Sequence, residues 1–282
     1  AGEAIWQRLW QAPEGDAPGR LFRLWAGGAA KEPGMLEDYA WLGLGCLALG
    51  DALGGEVGAR WQARAEALAE AAVARFDHPS GRLRMAEADG PMGPVFDSAD
   101  GATPAGESSM AELLARLALR APGPKAEGLD AGEAARRLLG ALAGPLSRMP
   151  LLRPDALVAA RLLAAGESGA RRTVGAGKIR VALRPGTPPR LALRIAEGWH
   201  VTAADPGTEG YAPARIEGAG AAWPEGRPLE AAFSDTALKV YEGSLEVPLS
   251  DAGPEIALTL QPCSDRLCLA PVETRFRIGP RG

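Results

Sequence analysis

The sequence has few of the residues that build disulfide scaffolds and metal centres. Its 282 residues include three cysteines and two histidines. Neither histidine stands near a cysteine or carboxylate cluster with the spacing of metal ligands, and three cysteines are too few for a disulfide framework. We therefore expect no metal site and no cofactor, and we look to individual cysteines for chemistry.

Long apolar runs and a strong net charge are also absent. No apolar stretch approaches the about 20 residues that span a bilayer, and no basic segment leads an apolar one as in a signal peptide. The net charge of −4 gives no reason to expect nucleic acid. The length and composition suit a globular protein of two domains. Because a helical pattern already begins at Ala1, we expect a fragment of a longer chain.

Apolar residues recur with a helical period from residue 1 to about residue 165. The clearest run has an apolar residue at every third or fourth position and predicts one buried helix face: Val57, Trp61, Ala65, Leu68, Ala72 and Phe76. Similar patterns predict about six helices, packed as antiparallel hairpins. Residues 81–105 lack this helical period and are interpreted as an ordered loop, long enough to contain a short hairpin. Cys46 lies in an apolar helical run, which favours a buried, unreactive thiol.

The pattern changes to alternating apolar and polar residues beyond a glycine-rich segment. We interpret that segment, residues 168–177, as a linker between a helical domain at 1–167 and a second domain at 178–282. Short alternating runs separated by Gly and Pro predict antiparallel strands in an immunoglobulin-like β-sandwich. The predicted fold class is therefore multidomain, with all-α helical hairpins followed by an all-β sandwich.

Cys263 and Cys268 are close enough in sequence to form a local pair. They stand five positions apart. Disulfide-bonded Cα atoms lie about 4.4–6.8 Å apart, whereas five extended steps cover about 17 Å, so a disulfide requires the chain to turn between them. Ser264 and Asp265 favour such a turn. From the spacing alone a structural disulfide is the favoured interpretation, and a redox-active pair is the alternative.

The flanking motifs add a family resemblance. Four segments occur in the order and spacing of the DsbD amino-terminal domain family: IAEGWHV, FSD, VYEGSLEVPL and CSDRLCLAP. The resemblance implies a sandwich facing the periplasm that exchanges electrons with a thioredoxin-like partner through Cys263 and Cys268. It also implies that Phe233 lies in a loop that caps the pair against stray oxidants, and that Tyr241 is a neighbouring aromatic. The chain has four residues between its cysteines, where the best-known member has five. With these motifs, redox exchange becomes the favoured interpretation.

The helical half resembles a second family. Its LEDYA and DGATP motifs are similar to those of the YyaL and spermatogenesis-associated-protein family. That family joins a thioredoxin-like domain to a six-hairpin α/α toroid related to glycosidases and sugar epimerases. About six helices correspond to the second half of such a toroid. We therefore expect the missing toroid half and a thioredoxin-like domain upstream or in a partner chain.

Several carboxylates of this half could face a toroid cavity: Glu37, Asp38, Asp97, Asp100 and Glu107. Two carboxylates across a cavity can hydrolyse a glycoside, so a carbohydrate-active enzyme with a carbohydrate ligand is a second hypothesis. The same residues can instead cap helices and stabilise turns. His78, in a turn, and His200, expected to be a partly exposed strand residue, are poor candidates for proton transfer.

Thiol-disulfide exchange is thus the first functional hypothesis, a carbohydrate-active toroid the second, and a non-catalytic scaffold the third. The DsbD-like resemblance implies a periplasmic or otherwise extracytoplasmic protein. A cytoplasmic location is the alternative, because the YyaL-like family includes members without an evident export signal.

Overall fold

The computed structural model describes residues 1–53, 55–91, 93–97, 99–120, 128–167, 170–230 and 237–278. The chain divides into two compact units, Ala1–Ala164 and Ala165–Gly282. Across the described segments, no helix is both long enough and apolar enough to cross a membrane.

Helices dominate the first unit. Its described residues form six α-helices: α1 (Gly2–Leu9), α2 (Leu36–Leu53), α3 (Gly55–Phe76), α4 (Gly106–Arg120), α5 (Ala131–Arg148) and α6 (Pro154–Ala165). A short 3-10 helix, Pro150–Leu152, precedes α6. The number of helices agrees with the prediction from the apolar period.

The buried face of α3 follows the apolar spacing in the sequence. Five of its six periodic residues, from Trp61 to Phe76, are buried, whereas Val57 near the start of the helix is 43% exposed. These residues join one core cluster that also contains Met110, Leu113 and other apolar residues of α4. The amphipathic pattern therefore decides which side of each helix faces the core.

A small antiparallel sheet in the first unit corrects the all-α prediction for this half. Its strands are β1 (Trp10–Gln11), β2 (Arg20–Ala26) and β3 (Ala29–Pro33), in the order β1-β2-β3. Gly27 and Gly28, with φ of 61° and 80°, connect β2 to β3. Positive φ at both central residues is the requirement of a tight type I′ hairpin turn, which glycine meets without strain.

The second unit is built from short strands: β4 (Arg171–Val174), β5 (Ile179–Arg184), β6 (Arg190–Ile195), β7 (Trp199–Thr202), β8 (Arg215–Glu217), β9 (Gly220–Ala221), β10 (Arg227–Leu229), β11 (Leu238–Tyr241), β12 (Ser244–Ser250), β13 (Glu255–Leu260), β14 (Pro262–Ser264) and β15 (Val272–Arg277). They form a five-stranded sheet β4-β5-β6-β12-β9, a four-stranded sheet β10-β11-β7-β14 and a three-stranded sheet β15-β13-β8.

All the strand pairs of this unit are antiparallel, and one core cluster draws residues from all three sheets. Along β5 the burial alternates strictly, with Ile179, Val181 and Leu183 inside and the residues between them outside. Such alternation is typical of an antiparallel sheet that packs against the core on one face and meets solvent on the other. The predicted β-sandwich is confirmed.

The segment interpreted as a linker contributes a strand to this sandwich. β4 pairs with β5 from Arg171↔Ala182 to Val174↔Ile179. Its sequence, RRTV, has too few apolar residues to stand out as a strand in a glycine-rich context. The structure places the start of the second unit at Ala165, before the predicted linker.

Candidate functional site

Cys263 and Cys268 form a disulfide where β14 ends in a turn. Their Cα atoms lie 4.0 Å apart. Two backbone hydrogen bonds of 2.8 Å flank the pair, one from Ser264 N to Leu267 O and one from Leu269 N to Pro262 O. The cysteines therefore occupy a non-hydrogen-bonded pair position, at which Cα atoms of antiparallel strands approach most closely.

Ser264 stabilises the turn between the two cysteines. Its Oγ accepts hydrogen bonds from the backbone N–H groups of Arg266, at 3.3 Å, and of Leu267, at 3.4 Å. Such bonds let a serine side chain replace backbone partners in a turn. The chain thus folds back over four residues, as the spacing of the cysteines requires.

The two sulfur-bearing residues differ in exposure. Cys263 is fully buried, whereas Cys268 is partly exposed. Exposed residues occupy the turn, including Leu267 at 49% exposure. An incoming thiolate needs access to one sulfur of a disulfide. The difference in burial makes Cys268 the accessible partner.

Cys263 lies in a small buried layer beside the main sandwich core. Its strand neighbour on β7 is His200, which is 2% exposed. Thr202 and Val240, a directly paired couple on β7 and β11, are 0% and 1% exposed. None of these four residues belongs to the core cluster of the sandwich. Cys263 therefore shares one face of this sheet with buried residues of mixed polarity.

His200 was expected to be partly exposed, and this expectation is wrong. Both faces of β7 are covered, so the alternation that marks a half-exposed strand is missing there. Burial lowers the pKa of His200, and the carboxylates of Glu242 and Asp265 oppose this effect. Sequence reasoning missed His200 as a neighbour of the disulfide, because only the strand register places it opposite Cys263.

Tyr241 lies on a strand close to the Cys263–Cys268 disulfide, but its side chain extends from the other face of the sheet. It pairs with Val201, which in turn pairs with Pro262, the residue before Cys263. Because successive strand residues point to opposite faces, Tyr241 and Cys263 lie on opposite faces of this sheet. The Tyr241 hydroxyl donates to Pro224 O at 2.9 Å, and burial raises the pKa of this phenol.

Further contacts fix Tyr241 within the sandwich. The hydroxyl also accepts from Ala204 N at 3.3 Å, and the ring stacks on Trp223 with centroids 5.5 Å apart. Phe233, the other aromatic that the resemblance placed near the cysteines, lies outside the described residues, so its capping role stays a prediction.

Glu107 is the most deeply buried of the five candidate carboxylates. It lies in the first turn of α4 and is 0% exposed. Arg82 Nε donates to its Oε1 at 3.0 Å, and Arg82 Nη2 bonds its other oxygen. Leu83 N donates at 3.3 Å, and Arg153 Nη2 lies 3.5 Å from Oε2. The carboxylate thus anchors a buried ion network.

Asp97 and Asp100 accept backbone hydrogen bonds near helix starts. Asp97 Oδ2 accepts from Glu107 N, in the first turn of α4, at 3.3 Å. Asp100 accepts from Ala105 N at 2.9 Å and from Asp155 N, in the first turn of α6, at 3.0 Å. Carboxylates at these positions satisfy N–H groups that the helix itself leaves unpaired.

Glu37 and Asp38 share one arginine. Arg23 contacts Glu37 Oε1 at 3.0 Å and Asp38 Oδ2 at 3.1 Å. Asp38 also accepts from Met35 N at 2.7 Å. All five candidate carboxylates therefore have hydrogen-bond or ion-pair partners within the fold. Over the described ranges, no group of three or more His, Cys, Asp or Glu residues could hold a metal ion.

The geometry of the second unit defines a class of protein: a β-sandwich domain with a partly accessible disulfide beside one strand. Residues 180–280 match the family described as thiol:disulfide interchange protein DsbD, N-terminal. Among solved structures, the N-terminal domain of DsbD from Neisseria meningitidis, in the reduced form, is 24% identical. The match covers 34% of this chain and 78% of that chain, with a TM-score of 0.26.

No curated protein matches the chain. The resemblance of the second domain to the DsbD amino-terminal family is confirmed by the match at 180–280. The resemblance of the helical unit to the second half of an α/α toroid stays a prediction.

Proposed function

We propose that the second unit exchanges electrons with a thioredoxin-like partner by cycling Cys263 and Cys268 between dithiol and disulfide. The observation that carries this proposal is the asymmetric disulfide, with Cys263 buried and Cys268 partly exposed. It lies inside the span that matches a thiol:disulfide interchange family. A reactive disulfide must offer one sulfur to an attacking thiolate.

The exchange proceeds through a mixed disulfide. A thiolate of the partner attacks Sγ of Cys268, the bond to Cys263 breaks, and Cys263 leaves as a thiolate that takes up a proton. The second thiol of the partner, once deprotonated, attacks the partner's sulfur in the mixed disulfide and releases Cys268. The partner is oxidised to a disulfide and this chain is reduced to a dithiol, with two electrons transferred. The reverse sequence passes the electrons on.

The same family match supports the proposed partner and location. The thioredoxin-like partner is a domain of the same full-length protein or a separate protein. The location is periplasmic or otherwise extracytoplasmic, where disulfides form and persist. The helical unit is proposed to be half of an α/α toroid that positions the redox unit.

The contacts of the five carboxylates support a structural role for them. Each carboxylate is bonded to an arginine or to backbone N–H groups. The hypothesis of a carbohydrate-active toroid therefore gains no support from their geometry.

The reduction potential of the disulfide tests the function first. The full chain is equilibrated in graded glutathione or dithiothreitol buffers, and the fraction of reduced pair is measured by thiol alkylation and mass spectrometry. Exchanging disulfides have potentials above about −300 mV, whereas structural disulfides in secreted proteins lie below that value. A value well below it would contradict the proposal.

Matched cysteine variants test the direction of attack. In Cys263→Ser the accessible Cys268 remains, so this variant should form a mixed disulfide with a thioredoxin that has been activated at its nucleophilic cysteine. In Cys268→Ser the buried Cys263 remains, and trapping should be lost. Equal trapping by both variants would overturn the assignment of Cys268 as the attacked residue.

A further inference from the structure

The outer face of the five-stranded sheet carries an unusual concentration of positive charge. Between Glu167 and Glu197 the sequence has seven Arg and Lys residues and no Asp or Glu. Two of these cations have evident partners. Arg172 contacts Glu167 at 2.7 Å, and Lys178 Nζ lies 5.2 Å from the centre of the Trp199 ring.

The other five cations, all arginines, share the outer face because they occupy the exposed positions of alternating strands: Arg171 on β4, Arg180 and Arg184 on β5, and Arg190 and Arg194 on β6. Strand pairing sets Arg180 directly opposite Arg194 and Arg184 directly opposite Arg190. Like charges directly opposite each other destabilise a sheet unless a negative charge lies between them.

The structure supplies a negative charge for one of these arginine pairs. Glu246 on β12 contacts Arg184 at 3.6 Å and Arg190 at 3.2 Å. On the described strands of this sheet, Glu246 is the one acidic side chain of the outer face. Among the described residues, Arg180 and Arg194 have no carboxylate partner.

Hydroxyl groups flank the unneutralised pair. The strand register aligns Thr173 on β4, Arg180, Arg194 and Ser244 on β12 in one row across four strands. We call these four residues the donor row. Arginine has only donors, and Thr and Ser hydroxyls can donate as well. A fork of guanidinium N–H groups fits the oxygens of a phosphate or carboxylate.

The donor row also borders space for a larger molecule. A shallow concavity of about 520 Å³ is lined by all four residues of the row, and Ala182 and Ala192 contribute small side chains to it. A second concavity, of about 720 Å³, shares Arg180, Arg194 and Ser244. Sites for small molecules have volumes of this order.

The second concavity extends the positive charge only in part. Lys178 lines it, but so do Glu197 and Glu242. The concavity that holds the complete donor row has one acidic residue, Glu246, in its lining. We therefore expect the anionic group of a ligand at the donor row and the rest of the ligand in the 520 Å³ concavity.

We propose that the donor row, Thr173, Arg180, Arg194 and Ser244, binds a phosphate-type oxyanion, with the rest of the ligand over Ala182 and Ala192. This site is independent of the cysteine pair, so it does not rest on the proposed redox function. The phosphate group can belong to a free phosphorylated compound or to the headgroup of an anionic lipid. Both sources present the same tetrahedral oxyanion to the two arginines.

Titration of the full chain with sodium pyrophosphate tests the free-compound source, and isothermal calorimetry at about 0.15 M ionic strength, where distant charges are screened, measures the affinity. Arg180→Gln/Arg194→Gln should weaken binding by at least about tenfold, because hydrogen bonds to charged groups are lost. The control Arg215→Gln/Arg227→Gln removes the same charge from exposed arginines that contact Glu217 and Glu242. It should leave the affinity within about twofold, since distant surface charges are screened.

Vesicles test the lipid source. The same three proteins are sedimented with vesicles of phosphatidylcholine alone and of phosphatidylcholine with phosphatidylglycerol. Binding to either probe that is lost in the donor-row variant and kept in the control supports the site and identifies the source. Binding to neither probe, or equal binding by all three proteins, overturns it. Arg180→Lys/Arg194→Lys, which keeps the charge but not the fork, should bind with intermediate affinity, and circular dichroism verifies the fold of each variant.

Discussion

His200 and Cys263 lie directly opposite each other on the neighbouring strands β7 and β14. Residues paired in this way extend from the same face of a sheet. A buried imidazole is therefore the strand neighbour of the buried half of the disulfide. Because burial lowers the pKa of this imidazole, its protonation is linked to the stability of the folded protein.

His200 should make the protein less stable in mild acid. Burial holds its pKa in the folded state below the unfolded value of about 6.5. Above the unfolded pKa both states are neutral. As the pH falls below about 6.5 the unfolded state binds a proton first, so the free energy of unfolding decreases. Urea unfolding at pH 7.5, 6.0 and 5.0 should show this loss, and His200→Gln should reduce it.

His78→Gln provides the control, because this histidine lies partly exposed in a turn, where it contacts Ser80. The loss of stability in acid should persist in this variant. If His200→Gln leaves the pH dependence unchanged, the buried imidazole is not its source.

Cys46 should be unreactive in the folded protein. It is 1% exposed, and burial raises its pKa to about 11. Because the thiolate is the reactive form, little of it exists at neutral pH. The oxidised protein should show no thiol reactive towards Ellman's reagent when folded and one thiol in denaturant. Fast reaction of the folded, oxidised protein would contradict this prediction.

Glu107 should be important for stability. Replacing it with Ala leaves Arg82 and the buried Arg153 without their carboxylate partner. Removal of one member of a buried ion pair costs about 3–5 kcal/mol. Glu37→Ala breaks an ion pair whose side chains are 37% and 44% exposed, and it should cost about 0–1 kcal/mol. Denaturant unfolding measures both, and similar losses in the two variants would refute the structural role of Glu107.

Two glycines should respond oppositely to alanine. A Cβ atom at Gly58 on α3 would lie 2.5 Å from the backbone oxygen of Gly50 on α2, whereas one at Gly45 would meet nothing within 4 Å. Gly58→Ala should destabilise the helical unit by about 1–3 kcal/mol through overpacking. Gly45→Ala, at an exposed helical position, should stabilise it by up to about 1 kcal/mol. Thermal unfolding followed by circular dichroism compares the two, and a shift of the same sign in both would contradict the close helix contact.

The sequence alone determined the main architecture through its two hydrophobic periods. The spacing from Trp61 to Phe76 placed one face of α3 in the core, and alternation along β5 placed Ile179 and Val181 inside the sandwich. The cysteine spacing required a turn, and the flanking motifs indicated the DsbD-like family. These features depend on local geometry, since side-chain direction follows directly from the period of a helix or strand.

Other features were decided by the tertiary structure, because they depend on which strands pair and in what register. Pairing of β7 with β14 placed His200 beside Cys263, and pairing of β5 with β6 placed Arg180 beside Arg194. The burial of His200 followed because β7 is covered on both faces. Residues far apart in sequence meet through long-range pairing, whose register no local pattern in a single sequence specifies.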